Sequence, residues 1–331
     1  MAENSSIEWT THTFNPWRGC QKVSDGCKNC YAETLSKRNP RVLGEWGPNG
    51  ARSIAAKSYW QQPVKWNRAA EKAGERRRVF CASLADVFEA REELNVPRYR
   101  LFRLINETPH LDWLLLTKRP QNILVQIEQA FEDGSGTNDE TQFMLGNWLA
   151  GIAPPNVWLG TSVENQQAAD ERIPELLKVP AVMRFLSCEP LLGPIEFSDV
   201  TRRADCVAML GKPALTGISW VIVGGESGPN ARPCDVEWIR SLVEQCRAAG
   251  VPCFVKQLGA QSTLDYYCED DGLRGWALDG IYSLSGWDEG SGQPPTGTRV
   301  TVKLHDRKGG DMDEFPEDLR VREFPQVEVV A

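Results

Sequence analysis

Short apolar runs recur along the chain at intervals that suit buried strands. They fall at Arg78–Ser83, Asp112–Thr117, Asn156–Thr161, Val182–Ser187, Ser219–Gly224 and Pro252–Lys256. Each is continuous, not alternating, as expected for strands covered on both faces. Between them lie stretches with helical spacing: Asn95–Asn106, Pro120–Phe131, Gln166–Leu177 and Asp235–Ala249. In the last, Asp235 is placed to cap, Val236, Ile239, Leu242, Val243 and Cys246 form one stripe, and Gly250 ends it. A further strand around Thr11–Trp17 brings the total to about seven.

Strand and helix alternating this often predict parallel strands joined by right-handed crossovers. The expected fold class is α/β: a complete or partial parallel β/α (TIM-like) barrel, with a doubly wound open sheet as the alternative. Residues 1–264 are read as the barrel-like domain. Residues 265–331 are read as an acidic, irregular C-terminal extension packed on it, rich in Gly, Pro and Ser over Gly286–Gly310, with a strand at Arg299–Leu304. Residues Glu132–Glu140 read as an exposed loop.

In a parallel barrel the C-terminal strand ends share one face, where ligands bind. Polar residues gather after the predicted strands: Ser83 and Asp86; Thr117, Lys118 and Arg119; Ser162, Glu164 and Asn165; Glu189; Glu226 and Ser227; Lys256 and Gln257. The turn Gly224-Gly225-Glu226 permits close backbone approach by a ligand, or simply makes a tight β/α connection. It lacks the Gly-Lys-Ser/Thr ending of a phosphate loop.

Charge adds a division. The chain carries 37 basic and 45 acidic residues. From Asp265 onward there are 15 acidic and 7 basic residues, so the whole excess of -8 lies in that last fifth. This argues against nonspecific coating of nucleic acid but leaves room for a local basic groove. Tyr59, Trp60 and Trp66 beside Lys65, Arg68, Lys72 and Arg76–Arg78 form one candidate, as base-stacking or cation–π residues. The other reading is a solvated helix, because Glu71 and Glu75 interrupt the bases. No apolar run reaches the ~18 residues of a membrane span. With no basic and apolar leader at Met1–Ser6, a cytoplasmic location and no membrane partner are expected.

Of ten cysteines, Cys81, Cys188, Cys206, Cys234, Cys246, Cys253 and Cys268 are scattered, several in apolar runs where a thiol acts as a small hydrophobe. Cys20, Cys27 and Cys30 are clustered as Cys-x6-Cys-x2-Cys, with Gly19 and Gly26 letting the backbone wrap closely. A disulfide would strand one thiol. Structural zinc wants four ligands and would need His12 or a remote cysteine such as Cys81. An iron–sulfur cluster held by three thiolates would keep one iron open. Simple packed or surface thiols complete the alternatives.

The loop resembles that of the radical S-adenosylmethionine (SAM) superfamily, in which three cysteines follow the first barrel strand and an aromatic residue, here Tyr31, sits near the last. Its first spacer is six residues where that superfamily has three. Segments Asn15–Tyr31, Leu114–Pro120, Trp158–Asn165, Phe185–Ile195 and Val221–Pro233 look like the phage-associated three-Cys-motif proteins. The resemblance implies a [4Fe–4S] cluster on Cys20, Cys27 and Cys30 with SAM on the fourth iron. It implies Ser83 and Asp86 near the SAM amino group, without the superfamily's usual Gly-Gly-Glu. Lys118 or Arg119 would face the carboxylate, Ser162, Glu164 and Asn165 the ribose, Glu189 the cavity, and Gly224, Gly225 and Glu226 the adenosine or substrate. The implied activity is an oxidoreductase, lyase or transferase that cleaves SAM, served by an external electron donor, on a DNA, RNA or nucleotide substrate. The competing reading is a noncatalytic nucleic-acid-binding phage or prophage protein stabilised by zinc or a cluster.

Overall fold

The computed structural model describes residues 5–134, 139–198, 200, 214–228, 230–266, 283–285 and 298–326. Its strands are β1 (His12–Thr13), β2 (Trp17–Arg18), β3 (Ser53–Ile54), β4 (Arg77–Cys81), β5 (Leu111–Thr117), β6 (Val157–Ser162) and β7 (Met183–Cys188). They continue with β8 (Trp220–Gly224), β9 (Cys234–Asp235), β10 (Cys253–Gln257), β11 (Ser262–Tyr266), β12 (Ser283–Ser285) and β13 (Thr298–Lys303). Helices are α1 (Tyr31–Ser36), α2 (Pro40–Leu43), α3 (Gln62–Ala73), α4 (Asn95–Asn106), α5 (Ile123–Asp133), α6 (Glu140–Leu149), α7 (Gln166–Leu177) and α8 (Val236–Ala249).

One seven-stranded sheet has the order β1-β4-β5-β6-β7-β8-β10. The pairings β1–β4, β4–β5, β5–β6 and β8–β10 are parallel. This order decides between the two expected architectures. A doubly wound sheet reverses direction at a switch point. Here each later strand joins on the same side, the winding of a β/α barrel. Among the described residues no pairing joins β1 to β10, so the barrel is partial.

The chain divides into two compact units, residues 1–162 with 171–185, and residues 163–170 with 186–331. In the first, β4, β5 and β6 bury nearly every side chain, consistent with their unalternating sequence. Helix α4 turns Leu101, Phe102, Leu104 and Ile105 inward. The helix expected from Pro120 begins as a 3-10 turn, Pro120–Asn122, before α5. Glu132 and Asp133 complete α5 instead of opening a loop, and part of that expected loop, residues 135–138, lies outside the described residues. Helix α6 was not foreseen; Asp139 caps it by accepting from the Gln142 N–H at 3.0 Å.

The strand expected over Thr11–Trp17 is broken. β1 holds only two residues, and β2 pairs antiparallel with β3. Pro16 between them has no N–H for a ladder, and its carbonyl accepts from Ala55 at 3.0 Å. The Asn15 N–H turns to the Tyr59 hydroxyl, 3.1 Å away.

In the second unit α8 follows its sequence closely. The Asp235 carboxylate accepts from the Glu237 N–H at 2.9 Å, the five expected apolar residues are buried, and Gly250 closes the helix at φ 68°. β9, β11, β13 and β12 form a second sheet, so residues 298–303 are indeed a strand. Residues 321–323 then run along β10. Val255 N–H donates to the Val321 carbonyl at 2.8 Å, Glu323 N–H to the Cys253 carbonyl at 2.9 Å, and Phe254 bridges Arg322. Among the described residues no helix is long and apolar enough to cross a membrane.

The aromatic residues of the Tyr59–Arg78 stretch serve the fold and not an open stacking platform. Trp60 and Trp66 are buried on one side of the helical segment. Trp66 stacks on the buried His12 ring with centroids 4.3 Å apart, and Tyr59 stacks on Phe14. Arg76 is paired with Asp112 at 2.7 Å and Arg77 with Glu75 at 2.7 Å. The helix does present Lys65, Arg68 and Lys72 to solvent, as an amphipathic surface helix should. Trp66→Ala is therefore expected to cost about 3–5 kcal/mol of unfolding free energy, as for other large core truncations. Denaturant titration checks this; a loss within about 0.5 kcal/mol would mark an exposed, replaceable ring.

Candidate functional site

The three-cysteine loop runs from β2 into α1, within the first unit. Its entrance is fixed by polar contacts to the segment after β4. Asn15 Oδ1 accepts from the Leu84 N–H at 2.8 Å, and Asn15 Nδ2 donates to the Ser83 hydroxyl at 3.1 Å. Gly19 N–H donates to the Leu84 carbonyl at 3.0 Å. Gly19 has φ 104°, and a Cβ there would meet the Glu45 carbonyl oxygen at 2.7 Å, so only glycine is accommodated. Gly26 lies in the 3-10 turn Asp25–Cys27 and is not among the left-handed glycines, so the wrapping expected of both glycines rests on Gly19.

Beneath the loop is a buried ion network. Asp86, after β4, accepts from Arg119 Nη1 at 2.7 Å, from the Thr117 hydroxyl at 2.7 Å, and from the N–H groups of Phe88 and Lys118 at 3.0 and 3.2 Å. Arg119, after β5, also donates from Nη2 to the Gln21 carbonyl at 2.7 Å, and its Nη1 lies 3.9 Å from Cys20 Sγ. A second pair backs the first. Arg52 forks onto Glu89 at 2.9 and 2.7 Å, with both side chains buried. Arg98 donates to the carbonyls of Val87 and Glu89 at 2.9 and 2.6 Å. Burial alone would lower the pKa of Arg119; Asp86, Cys20 and Glu89 outweigh it and hold the guanidinium charged.

Cys20, Cys27 and Cys30 are free and half-buried, whereas Cys81, Cys188, Cys234, Cys246 and Cys253 are free and buried. Cys206 and Cys268 lie outside the described residues. Burial, reinforced by Asp86, pushes the Cys20 thiol up to about 12. Burial also raises Cys30, whose charge would meet that of Cys27 and be eased by Lys118. Tyr31, at the start of α1, donates its hydroxyl to the Ser83 carbonyl at 2.9 Å. Lys22 pairs with Glu33 at 2.7 Å and closes the loop onto α1.

The donor chemistry fits a thiophilic metal centre: three reduced thiols on one loop, apart from those in the core. Among the described residues no three His, Cys, Asp or Glu side chains converge as a preformed ligand set, so the loop would have to draw its sulfurs together on loading. The fourth ligands considered for zinc are committed elsewhere. His12 is stacked in the core, and Cys81 is fully buried within β4, its thiol pKa raised by that burial.

The structure thus brings together Cys20, Ser83, Asp86, Lys118 and Arg119, and gives them partners within the protein. The Ser83 hydroxyl is spent on Asn15, and the Asp86 carboxylate on Arg119 and the β5 exit. Arg119 serves the loop backbone. In the same unit Ser162 is buried, with its carbonyl accepting from Arg172 at 2.8 Å.

The other candidates lie in the second unit. Asn165 Oδ1 accepts from the Ala168 N–H at 3.0 Å and so opens α7. Glu164 is buried, and its carbonyl accepts from Leu192 at 2.7 Å. Glu189 pairs with Lys256 at 2.9 Å. Glu226 holds Arg232 through both oxygens, at 2.9 and 2.7 Å. A Cβ on Gly225 would lie 2.2 Å from the Leu258 carbonyl oxygen, and one on Gly224 would lie 2.8 Å from Glu189 Oε1. These glycines are explained by close β8–β10 packing, with Gln257 Nε2 donating to the Gly225 carbonyl at 2.7 Å.

Sequence reasoning missed Asn15, Arg52, Glu89 and Arg98. Arg98 had a signal: it shares the 98, 101, 102, 105 stripe of α4, where a buried cation demands partners. Arg52 and Glu89 are lone charges in loops 37 positions apart, and no spacing rule joins them.

Removing the Asp86 carboxylate would leave the Arg119 guanidinium buried without its main partner. Asp86→Ala is expected to cost about 3–5 kcal/mol of stability, measured by urea titration. In the metal-free protein at pH 8, iodoacetamide should label Cys20 at least about tenfold more slowly than it does after unfolding. The folded thiol pKa lies above the unfolded value, so the reactive thiolate is scarcer in the fold. Peptide mass analysis against time checks it; equal rates would mean an open, ordinary thiol.

Comparison with known proteins gives one family. The family model described as "Protein of unknown function (DUF5131)" matches residues 4–290. No curated protein matches the chain. A mutant spore photoproduct lyase with bound AdoMet and dinucleoside spore photoproduct is similar at 11% identity and TM-score 0.44, over 96% of this chain and 74% of that one. Spore photoproduct lyase complexed with the dinucleoside spore photoproduct is similar at 10% identity and TM-score 0.40, over the same shares.

Proposed function

The chain belongs to the DUF5131 family, and we propose that it is a radical-SAM-like enzyme whose Cys20, Cys27 and Cys30 hold a [4Fe–4S] cluster that binds SAM. The observation that carries this reading is one loop with three free, half-buried thiols, of which Cys20 lies beside Arg119 after β5, while His12 and Cys81 are committed to the core. Three protein ligands suit a cluster with one open position better than a closed four-ligand zinc site. A cluster with SAM bound there would supply one-electron chemistry and so initiate a radical reaction.

The chain's own residues have narrower tasks. The thiols must lose their protons to become ligands, and the raised pKa of Cys20 makes loading proton-releasing. Lys118 places its charge where Cys30 feels it and so favours the thiolate there. Asn15 and Gly19 hold the loop entrance, and Tyr31 ties the far side to Ser83. The substrate belongs to the proposal as a nucleic acid or nucleotide, and an external electron donor is required.

Anaerobic reconstitution with iron and sulfide tests the reading. The wild-type chain should take up about four of each and turn brown. Cys20→Ala, Cys27→Ala and Cys30→Ala should each lose the chromophore, while Cys234→Ala and Cys246→Ala keep it. Stoichiometric zinc without iron after anaerobic preparation would overturn the cluster. Titration of the loaded protein with SAM should perturb the cluster spectrum; an unchanged spectrum would remove SAM from the reading and leave the cluster.

A further inference from the structure

The Arg119 guanidinium does two things that its ion pair with Asp86 does not require. Its Nη2 donates to the Gln21 carbonyl at 2.7 Å, and its Nη1 lies 3.9 Å from Cys20 Sγ, within hydrogen-bond reach of sulfur. Both contacts are to the three-cysteine loop, although Arg119 lies 99 positions away in sequence. The side chain is only 9% exposed. Asp86 fixes it from behind through the 2.7 Å pair, and the Arg119 N–H donates to the Thr117 hydroxyl, which itself donates to Asp86.

We propose that Arg119 is a positioning residue that clamps the loop at Gln21 and directs an N–H toward the Cys20 sulfur, setting the reduction potential of the centre that Cys20 helps to hold. This rests on the cluster reading above. Hydrogen bonds to ligating sulfur stabilise the more electron-rich, reduced state and raise the potential. Guanidinium suits the task because its planar fork serves a carboxylate, a carbonyl and a sulfur at once from one rigid group. An ammonium on a flexible stem cannot hold all three directions. The neighbouring Arg98 belongs to the same buried network but donates to the Val87 and Glu89 carbonyls and to Asn95, with no thiol among its hydrogen-bond partners in the described residues. It is therefore the natural control.

The experiment compares wild type, Arg119→Lys and Arg98→Lys after anaerobic reconstitution, reading iron and sulfide content, circular dichroism and the midpoint potential by spectroscopic redox titration. Arg119→Lys keeps a positive charge beside Asp86, so it is chosen over Arg119→Ala, which would leave that carboxylate buried without its cation. The expected result is a midpoint for Arg119→Lys shifted to more negative potential, with Arg98→Lys at the wild-type value even if less stable. Loss of the cluster from a folded Arg119→Lys, with Arg98→Lys loaded, supports the same clamp. A loaded Arg119→Lys with the wild-type midpoint overturns the proposal and leaves the cluster reading standing. An equal shift in Arg98→Lys also overturns it, because general loosening of the network would then be the cause. A wild type that takes up no iron and sulfide removes both readings together.

Discussion

The buried pair of Asp86 and Arg119 is the constraint around which the first unit's polar end is arranged. Two charges have been taken out of water, and that is tolerable only if every remaining donor and acceptor finds a partner. Asp86 meets the condition with the exits of β4 and β5, Arg119 with the three-cysteine loop. The strand ends and the loop therefore cannot be placed independently. Arg52, Glu89 and Arg98 extend the same logic one layer further. The Glu89 carboxylate is neutralised by Arg52, and its backbone carbonyl is taken by Arg98. Such a network is poor at adding stability compared with an apolar core of equal volume, but it tolerates few alternative geometries. That is the property needed to fix the part of the loop at Cys20 and Gln21.

Much of the fold was legible because it follows from burial. Strands covered on both faces must be apolar throughout, and the runs at 78–83, 112–117, 156–161, 182–187, 219–224 and 252–256 fall within a residue or two of β4–β8 and β10. The stripe and caps of α8 are equally local signals. What periodicity could not supply was the winding direction of the sheet, which depends on which neighbour each strand joins. It also could not supply the interruption of the first strand, where Pro16 and the pull of Tyr59 on Asn15 override a plausible apolar pattern.

The site was legible in part, for a chemical reason. Three thiols in eleven residues stand out against a background of core cysteines, so the loop was found. The polar residues after the strands were found too, but their type does not reveal whether they face a ligand or each other. Asp86, Asn165, Glu189 and Glu226 are each satisfied within the protein by Arg119, the start of α7, Lys256 and Arg232. The glycines at 224 and 225 read equally well as a ligand cradle or as tight packing, and only the Leu258 and Glu189 contacts separate the two. Long-range ion pairs have no sequence period, which is why the groups that organise the loop were the last to appear.

An open sheet has two outer strands, and each would offer a row of bare amide and carbonyl groups. At β10 that row is occupied by residues 321–323: the Cys253 carbonyl, the Val255 N–H and the Phe254–Arg322 bridge are all taken. The same short segment accepts from the Trp220 indole at 2.9 Å, and the Glu323 carboxylate accepts from the Cys253 N–H at 3.1 Å. This tail works as a guard against intermolecular strand addition, the hazard of any exposed, apolar sheet border. A chain cut before residue 321 would uncover Cys253, Phe254 and Val255 as a template for a second molecule, and aggregation would then compete with the chemistry of a loop that the cut does not touch.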